Sequence, residues 1–225
     1  MYQYIFFDLD GTLTDPREGI TKSVQYALAK LGIVENDLRK LEPFIGPPLL
    51  ESFAAYYGFD LEKSRACVEY YREYFADRGW RENLLFEGVK ELLVRLREQG
   101  KVVAIASSKP EYFVRKILKH FEIDGLFDEI CGATMGETRT KKEEVLEELI
   151  TRLKLTKEEQ KKILMVGDRR HDVEGAAVFG IPCLGLSMGF ACEGELNKAG
   201  AVAVADSMQE IGDFVLCEGR FLGNG

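Results

Sequence analysis

Two aspartates near the N-terminus, Asp8 and Asp10, are the first residues whose types and spacing could do chemistry. They follow an apolar run, Tyr4 to Phe7, and are followed by Gly11 and Thr12. One carboxylate of such a pair can bind a hard cation and attack an electrophile, while the other acts as acid and base. Gly11 lets the backbone turn sharply and approach a ligand. Taken alone, this segment is more typical of a polar turn that caps the next helix.

Two more polar sets also come after apolar runs or at helix starts. The segment Ser107-Ser108-Lys109 follows the run at 102–106, where a hydroxyl and backbone amides at a helix N-terminus could bind an anion. Lys141 and Lys142 open a predicted helix, where a lysine could neutralise a phosphate oxygen. An N-cap serine and a solvated charge run are the ordinary alternatives. Cations at a helix start oppose the macrodipole, so another group is expected to hold one of these lysines.

A fourth set follows the apolar run at 163–166. Asp168 stands at the end of this run, and Asp172 comes four residues later. If a helical turn follows, the two carboxylates lie close together, and oxygen ligands at this density suit Mg²⁺. A loop with a helix N-cap is the alternative for this segment alone.

Strand-like and helical patterns alternate along most of the chain, which predicts an α/β fold with a doubly wound, mostly parallel, Rossmann-like sheet. In such sheets ligands bind beyond the carboxyl ends of the strands, which is where all four polar sets fall. Their joint occurrence in this order favours a catalytic site over four unrelated turns. The predicted strands are 4–7, 102–106, 130–131, 163–166, 183–186 and 201–205.

One stretch interrupts the alternation. Residues 16–81 carry helix signals and almost no strand signal, which predicts a second, smaller, all-helical domain. The core domain is then formed by 1–15 together with 82–217. Residues 218–225 are expected to be a loose tail.

The composition limits the classes of partner. The 225 residues carry a net charge of −8, which gives no general attraction for nucleic acid or an anionic membrane. No secretory signal or membrane-length apolar run is evident, and the odd number of cysteines, without a CxxC pair, favours free thiols. We therefore expect a cytoplasmic monomer or homodimer that acts on a small molecule.

These ordered motifs resemble those of the haloacid dehalogenase superfamily of phosphohydrolases, in particular its phosphoglycolate phosphatase-like branch. The resemblance covers nearly the whole chain and implies that residues 16–81 form a helical cap inserted after the first motif. The motifs that carry it are Asp8-Leu9-Asp10-Gly11-Thr12-Leu13, Ser107 in Ala106-Ser107-Ser108, a lysine at Lys141 or Lys142, and Gly167-Asp168 with Asp172.

The resemblance also implies roles for the motif residues. Asp8 would attack the phosphorus to form an aspartyl-phosphate, and Asp10 would protonate the leaving oxygen and then deprotonate the hydrolytic water. Ser107, with Ser108 beside it, would bind the transferring phosphoryl group. Mg²⁺ would be held by Asp8, the backbone carbonyl of Asp10, and Asp168.

The active-site lysine is left open between two positions. Relatives with a lysine three residues before an apolar pair favour Lys142, but Lys141 remains an alternative. Thr12 and Asp172 are expected to support the residues that touch the metal and the phosphate. Asp172 would either order the waters of the metal or hold the lysine.

The function implied by the resemblance is Mg²⁺-dependent hydrolysis of a small, phosphoglycolate-like phosphate monoester. A 5′-nucleotidase acting on nucleoside monophosphates and a sugar-phosphate mutase are the alternatives within this chemistry. Asp10 disfavours dehalogenation, since the dehalogenase branch lacks an acid there. A catalytically silent binding protein on the same scaffold is disfavoured because the set of motif residues is intact.

Overall fold

The computed structural model describes residues 1–136 and 139–217, and the chain divides into two compact units. The first unit consists of Met1–Leu13 and the chain from Leu85 onward, and the second is Thr14–Leu84. The cap expected at 16–81 falls inside the second unit, and its role as a cap stays a prediction. The tail expected at 218–225 lies outside the described residues.

Strands and helices alternate through the first unit, whereas the second unit is mainly helical. The elements of both units are numbered together along the chain. The strands are β1 (Tyr4–Phe7), β2 (Thr14–Asp15), β3 (Leu84–Leu85), β4 (Val102–Pro110), β5 (Glu129–Ala133), β6 (Ile163–Gly167), β7 (Cys183–Leu186) and β8 (Ala203–Ala205). The helices are α1 (Arg17–Lys30), α2 (Leu49–Tyr57), α3 (Leu61–Tyr74), α4 (Val89–Glu98), α5 (Glu111–His120), α6 (Lys142–Arg152), α7 (Lys157–Gln160), α8 (Arg170–Ala177), α9 (Glu195–Ala199) and α10 (Met208–Leu216).

The large sheet confirms the predicted fold class. Its strand order is β5-β4-β1-β6-β7-β8, and each neighbouring pair in it is parallel, while β2 and β3 form a separate two-stranded sheet. After β1 the chain builds one half of the sheet through β4 and β5, and then the other half through β6, β7 and β8. The order therefore reverses beside β1, and this is where open α/β sheets bind their ligands.

Both faces of this sheet are buried, which explains the continuous apolar runs. Phe6, Ala104 and Met165 belong to one cluster with the apolar side of α6, while Ile5 and Val103 point to the opposite face and are also fully buried. Burying one large apolar side chain stabilises the fold by about 1.5–3 kcal/mol. The central strands are therefore held in register by packing on both sides.

The strand boundaries differ from the prediction in one place that matters for the site. The sequence places a strand at 102–106 and then a helix N-terminus at Ser107 and Ser108, but β4 continues to Pro110 and α5 begins only at Glu111. The helix N-terminus expected at Ser107 is therefore wrong, while the role of Ser107 and Ser108 in binding a phosphoryl group stays a prediction. The pairing of Ser107 with Gly132 of β5 extends the ladder beyond the apolar run, so polar residues continue a strand that apolar residues start.

The second unit is helical, and two glycines bring its helices into close contact. A Cβ atom at Gly19 of α1 would overlap the backbone carbonyl of Gly79, which ends a π-helical turn, Phe75–Gly79, after α3. The hydroxyl of Ser23 donates to the Gly19 carbonyl at 2.6 Å. Among the helices within the described ranges, none combines the length and apolarity needed to cross a membrane.

Candidate active site

The site is built on three neighbouring strands of the large sheet. β1 pairs with β4 on one side and β6 on the other, with Phe7 opposite both Ile105 and Val166. Asp8 follows the last residue of β1, and Asp168 follows the last residue of β6. Because the strands are parallel and in register, these two carboxylates leave the sheet at the same edge.

Three carboxylates meet at this edge. Asp8, Asp168 and Asp172 each offer an oxygen atom, and these atoms lie within 4.8 Å of one another. All three residues are buried, and Asp168 is fully inaccessible. At an effective dielectric of about 20, two unit charges at this spacing repel by about 3–4 kcal/mol, so the cluster requires compensating positive charge.

Lys142 supplies part of that charge. Its Nζ lies 2.7 Å from Asp172 Oδ1 and 3.1 Å from Asp8 Oδ1, and it donates to the Ala106 carbonyl at 2.7 Å. Burial lowers the pKa of Lys142, but the carboxylates of Asp172 and Asp8 outweigh this effect, so the pKa is raised overall. These contacts explain why a cation stands at the N-terminus of α6 against the macrodipole.

The neighbouring Lys141 lies outside this cluster. It is exposed and forms the N-cap of α6, where the Glu144 carboxylate accepts from the backbone N–H groups of Thr140 and Lys141 at 2.8 and 3.1 Å. Of the two lysines left open by the sequence, the structure therefore brings Lys142 to the carboxylates.

Two glycines allow Lys142 and Asp172 to approach the strands and each other. A Cβ atom at Gly175 of α8 would lie 2.7 Å from Lys142 Cβ, which is closer than such atoms can come. A Cβ atom at Gly167 would overlap the Asp172 side chain. Of the two roles expected for Asp172, the structure shows the contact that holds the lysine.

Asp168 is fixed by two hydrogen bonds and two close glycines. The Thr12 hydroxyl donates to Asp168 Oδ1 at 3.2 Å, and the Phe190 backbone N–H donates to Asp168 Oδ2 at 2.7 Å. A Cβ atom at Gly11 or Gly189 would overlap the same carboxylate. Thr12 thus contacts Asp168 as a supporting residue, whereas the contribution of Phe190 is a backbone group that no sequence pattern marks.

Asp10 is paired with Lys109, a residue of the second polar set for which the sequence predicts no role of its own. Lys109 Nζ lies 2.5 Å from Asp10 Oδ2, and both side chains are almost fully buried. The other oxygen, Asp10 Oδ1, has no hydrogen-bond partner among the described residues. Burial raises the pKa of Asp10, and the Lys109 ammonium offsets only part of that effect. Lys109 could have been singled out only if β4 had been known to extend past Ser108.

The two serines differ in their surroundings. Ser107 is buried in β4, and its hydroxyl accepts from the Lys109 backbone N–H at 3.3 Å. Ser108 is half-buried in the same strand. Ser107 thus lies on the strand next to β1 and within hydrogen-bond reach of the residue that pairs with Asp10.

The charges of these groups do not balance. Four carboxylates, those of Asp8, Asp10, Asp168 and Asp172, face two ammonium groups, which leaves an excess of two negative charges when all are ionised. Burial raises the pKa of Asp168 well above its usual range, and the carboxylates of Asp172 and Asp8 raise it further. Burial likewise raises the pKa of Asp172 to about 6, although Lys142 opposes this.

This donor set fits a hard divalent cation. Mg²⁺ prefers carboxylate and carbonyl oxygens, and a charge of two would neutralise the excess. Asp8 and Asp168 would hold it, together with the backbone carbonyl of Asp10. Asp172 belongs to the same cluster, but one of its oxygens contacts Lys142.

The two arginine side chains after Asp168 contact acidic residues outside the carboxylate cluster. Arg169 lies 3.0 Å from Glu195 on α9, and Arg170 is exposed beside Glu174. Burial and the two arginines lower the pKa of His171, which favours its neutral form. Arg169 still contacts the carboxylate cluster, because its backbone N–H donates to Asp172 Oδ2 at 3.1 Å and its charge opposes the rise in the pKa of Asp168.

The excess of negative charge predicts the effect of Asp168→Asn on stability. In EDTA, we expect the free energy of unfolding to rise by about 1–3 kcal/mol, because one charge whose ionisation the fold disfavours is removed. The amide can still accept from Phe190 and donate to Thr12. Mg²⁺ should stabilise the wild type, by about 2.7 kcal/mol at 100 times its Kd, and should stabilise the variant less. Thermal and urea unfolding with and without Mg²⁺ measure both effects.

Asp124→Asn is the matched control for this variant, because Asp124 is exposed in the same unit. It should leave both the stability in EDTA and the response to Mg²⁺ unchanged. An Asp168→Asn protein that is less stable than the wild type in EDTA, or that gains as much from Mg²⁺, would contradict the charge argument.

Comparison with known proteins identifies the family. The family model of haloacid dehalogenase-like hydrolases matches residues 5–186. A 5′-nucleotidase from Pseudomonas aeruginosa is 50% identical over 196 residues, which are 87% of each chain. The tyrosine-protein kinase PtkA from Mycobacterium tuberculosis is 39% identical over 204 residues, which are 90% of this chain and 68% of that protein.

Solved structures agree with this result. The crystal structure of a predicted phosphatase from Clostridium acetobutylicum superposes with a TM-score of 0.92 and 40% sequence identity, covering 96% of this chain and 99% of the other. The superfamily expected from the motif order is thereby confirmed, as is the expectation of a hydrolase. The chain belongs to the haloacid dehalogenase-like hydrolase family.

Proposed function

We propose that this protein is a Mg²⁺-dependent phosphatase that hydrolyses a phosphate monoester through an aspartyl-phosphate on Asp8. The observation that carries the proposal is the arrangement of Asp8 between Lys142 and Asp168, with a second carboxylate, Asp10, paired to its own lysine. A phosphatase needs a nucleophile, positive charge for the phosphoryl oxygens and a proton donor for the leaving group. This edge of the sheet offers all three.

In the first step, an oxygen of Asp8 attacks the phosphorus as the bond to the ester oxygen breaks. Asp10 gives its proton to the departing oxygen, so the alcohol leaves neutral. The raised pKa of Asp10, caused by burial, favours the protonated form that this role requires. A bound Mg²⁺ would supply positive charge that lets a carboxylate approach an anionic phosphate.

In the second step, a water molecule attacks the same phosphorus. Asp10, now ionised, takes the proton of this water, and the bond between phosphorus and the Asp8 oxygen breaks. Inorganic phosphate leaves, and both carboxyl groups return to their starting states. Dividing one displacement into two in this way is the advantage of a covalent intermediate.

Lys142 and Ser107 would bind the transferring phosphoryl group. Lys142 already touches Asp8, so an oxygen on the attacked phosphorus would be close to the same ammonium. Its buried contacts with Asp172 and the Ala106 carbonyl hold it in place before substrate arrives. Such preorganised charge is typically the largest single contribution to catalysis.

The substrate class has two candidates. The phosphoglycolate-like ester expected from the motif pattern stays a prediction. Similarity at 50% identity to a protein named 5′-nucleotidase supports the second candidate, a nucleoside 5′-monophosphate. The sugar-phosphate mutase stays an alternative that shares the same residues.

The nucleophile is tested by Asp8→Asn. We expect turnover of a generic ester such as p-nitrophenyl phosphate to fall by at least about 10³-fold, because an amide oxygen cannot form the acyl phosphate. EDTA should stop the wild type, and added Mg²⁺ should restore it. Circular dichroism checks the fold, and Asp124→Asn is the control. Turnover by Asp8→Asn near the wild-type rate, or a rate indifferent to EDTA, would exclude this mechanism.

The choice of lysine is tested by comparing Lys142→Ala with Lys141→Ala. Removing a buried cation that faces the phosphoryl group should lower kcat/KM by about 10²–10³-fold. Removing the exposed Lys141 should change it less than about twofold. If Lys141→Ala is the more damaging of the two, the assignment is wrong.

The contact between Lys109 and Asp10 predicts a separate kinetic effect. In Lys109→Met, which keeps the length of the side chain but loses its charge, we expect kcat to fall by about tenfold or more with a smaller change in KM, because Asp10 loses its orienting partner. Lys119→Met, an exposed change on α5, serves as control. A rise in KM with kcat unchanged would instead assign Lys109 to substrate binding alone.

A further inference from the structure

One carboxylate outside the cluster connects the two chain segments that hold Asp168. The first segment is the turn into α8, which follows Asp168 directly, and the second is the loop 187–194 between β7 and α9. The loop supplies the Phe190 N–H that donates to Asp168 and the Gly189 backbone that closes against it. The connecting carboxylate belongs to Glu195, the first residue of α9.

Each oxygen of Glu195 binds a different segment. Oε1 accepts from the Arg170 backbone N–H at 2.9 Å and from the guanidinium Nε of Arg169 at 3.0 Å. Oε2 accepts from the Cys192 backbone N–H at 3.0 Å, two residues after Phe190. Because two of these three donors are backbone groups, the contacts fix the path of the main chain on both sides of Asp168.

The contacts of Glu195 are shielded from water and involve an ionised group. The side chains of Glu195 and Arg169 are 11% and 14% exposed. Burial raises the pKa of Glu195, but its two backbone N–H partners and the Arg169 guanidinium outweigh this effect, so the pKa is lowered overall. The ionised carboxylate is therefore favoured, and hydrogen bonds to an ionised acceptor are roughly twice as strong as those between neutral groups.

Arg169 is also held from the side of the carboxylate cluster. Its backbone N–H donates to Asp172 Oδ2, while its side chain contacts Glu195. The residue that follows Asp168 is thus fixed through both its backbone and its side chain. The position of Asp168 therefore depends on a chain of contacts that runs from Glu195 into the cluster.

We propose that Glu195 is a positioning residue for Mg²⁺ binding, which joins the turn into α8 to the loop 187–194 and so holds the Asp168 carboxylate where the ion binds. Its effect reaches Asp168 through the turn on one side and through the Phe190 N–H on the other. Groups behind a metal ligand set affinity by fixing the orientation of that ligand. The inference rests on the metal site of the proposed function, but not on the ester that is hydrolysed.

The Mg²⁺ affinity of the full chain, measured without any ester, tests this role. We expect Glu195→Ala to raise the Kd for Mg²⁺ by about 3–10-fold, which is less than for groups bound directly to a metal ligand because Glu195 lies one step further away. Glu195→Gln keeps one acceptor oxygen and should raise the Kd less, by about twofold or more. Competition against Mn²⁺, whose EPR signal reports the free ion, gives each Kd.

Stability with and without Mg²⁺ separates positioning from a purely structural role. A residue that only caps a helix would lower the free energy of unfolding equally in EDTA and in Mg²⁺, whereas a positioning residue also reduces the stabilisation that Mg²⁺ gives. Urea unfolding of Glu195→Ala under both conditions measures this difference.

Asp128→Ala is the matched control. The Asp128 carboxylate likewise joins an arginine to the main chain, since it contacts Arg97 at 3.1 Å and accepts from the Val103 backbone N–H at 2.8 Å. It lies at the amino end of β4, whereas Asp168 lies at the carboxyl edge of the sheet. Asp128→Ala should lower the stability and leave the Kd for Mg²⁺ unchanged.

Three results would overturn the inference. They are a folded Glu195→Ala protein with the wild-type Kd, an equal rise in Kd for Glu195→Ala and Asp128→Ala, and a wild type that binds no Mg²⁺. If Glu195→Ala does not fold, Glu195→Gln decides, and an unchanged Kd in that variant overturns the inference. A wild type that binds Mg²⁺ but does not hydrolyse p-nitrophenyl phosphate would remove the proposed function and leave the binding result standing.

Discussion

The concentration of negative charge at one edge of the sheet is the constraint on which the site depends. Asp8, Asp168 and Asp172 approach within 4.8 Å in a buried position, and Lys142 compensates only part of their charge. Burial raises the pKa of Asp168 and Asp172, which shows that the fold disfavours their ionised forms. A buried cluster with an excess of negative charge is typical of a cation-binding or catalytic site, because a purely structural ion pair balances its charges.

The sheet and its glycines maintain this arrangement. β1 and β6 are parallel neighbours in register, so Asp8 and Asp168 emerge side by side. Gly11 and Gly189 allow the backbone to close around the Asp168 carboxylate, and any side chain there would displace it. Packing on both faces of the strands, worth about 1.5–3 kcal/mol for each large buried side chain, is what holds the repelling groups together.

The sequence predicted the fold class and the strands that carry the site because these depend on local patterns. The runs at 4–7 and 183–186 have the observed boundaries, since strands buried on both faces must be apolar throughout. It misplaced the end of β4, because polar residues continue that ladder, and so it predicted no role for Lys109. The hydrogen bond from the Phe190 backbone N–H to Asp168 could not be predicted from the sequence, because almost every residue type carries a backbone N–H.

The most direct measurement is the location of the phosphoryl group during turnover. The enzyme is quenched in acid while hydrolysing p-nitrophenyl phosphate with Mg²⁺, digested at low pH and analysed by mass spectrometry. We expect one added phosphoryl group, sensitive to hydroxylamine as an acyl phosphate is, on the peptide that contains Asp8, and on Asp8 itself. A phosphoryl group on Ser107 or Asp10, or an unmodified enzyme during steady turnover, would contradict the account.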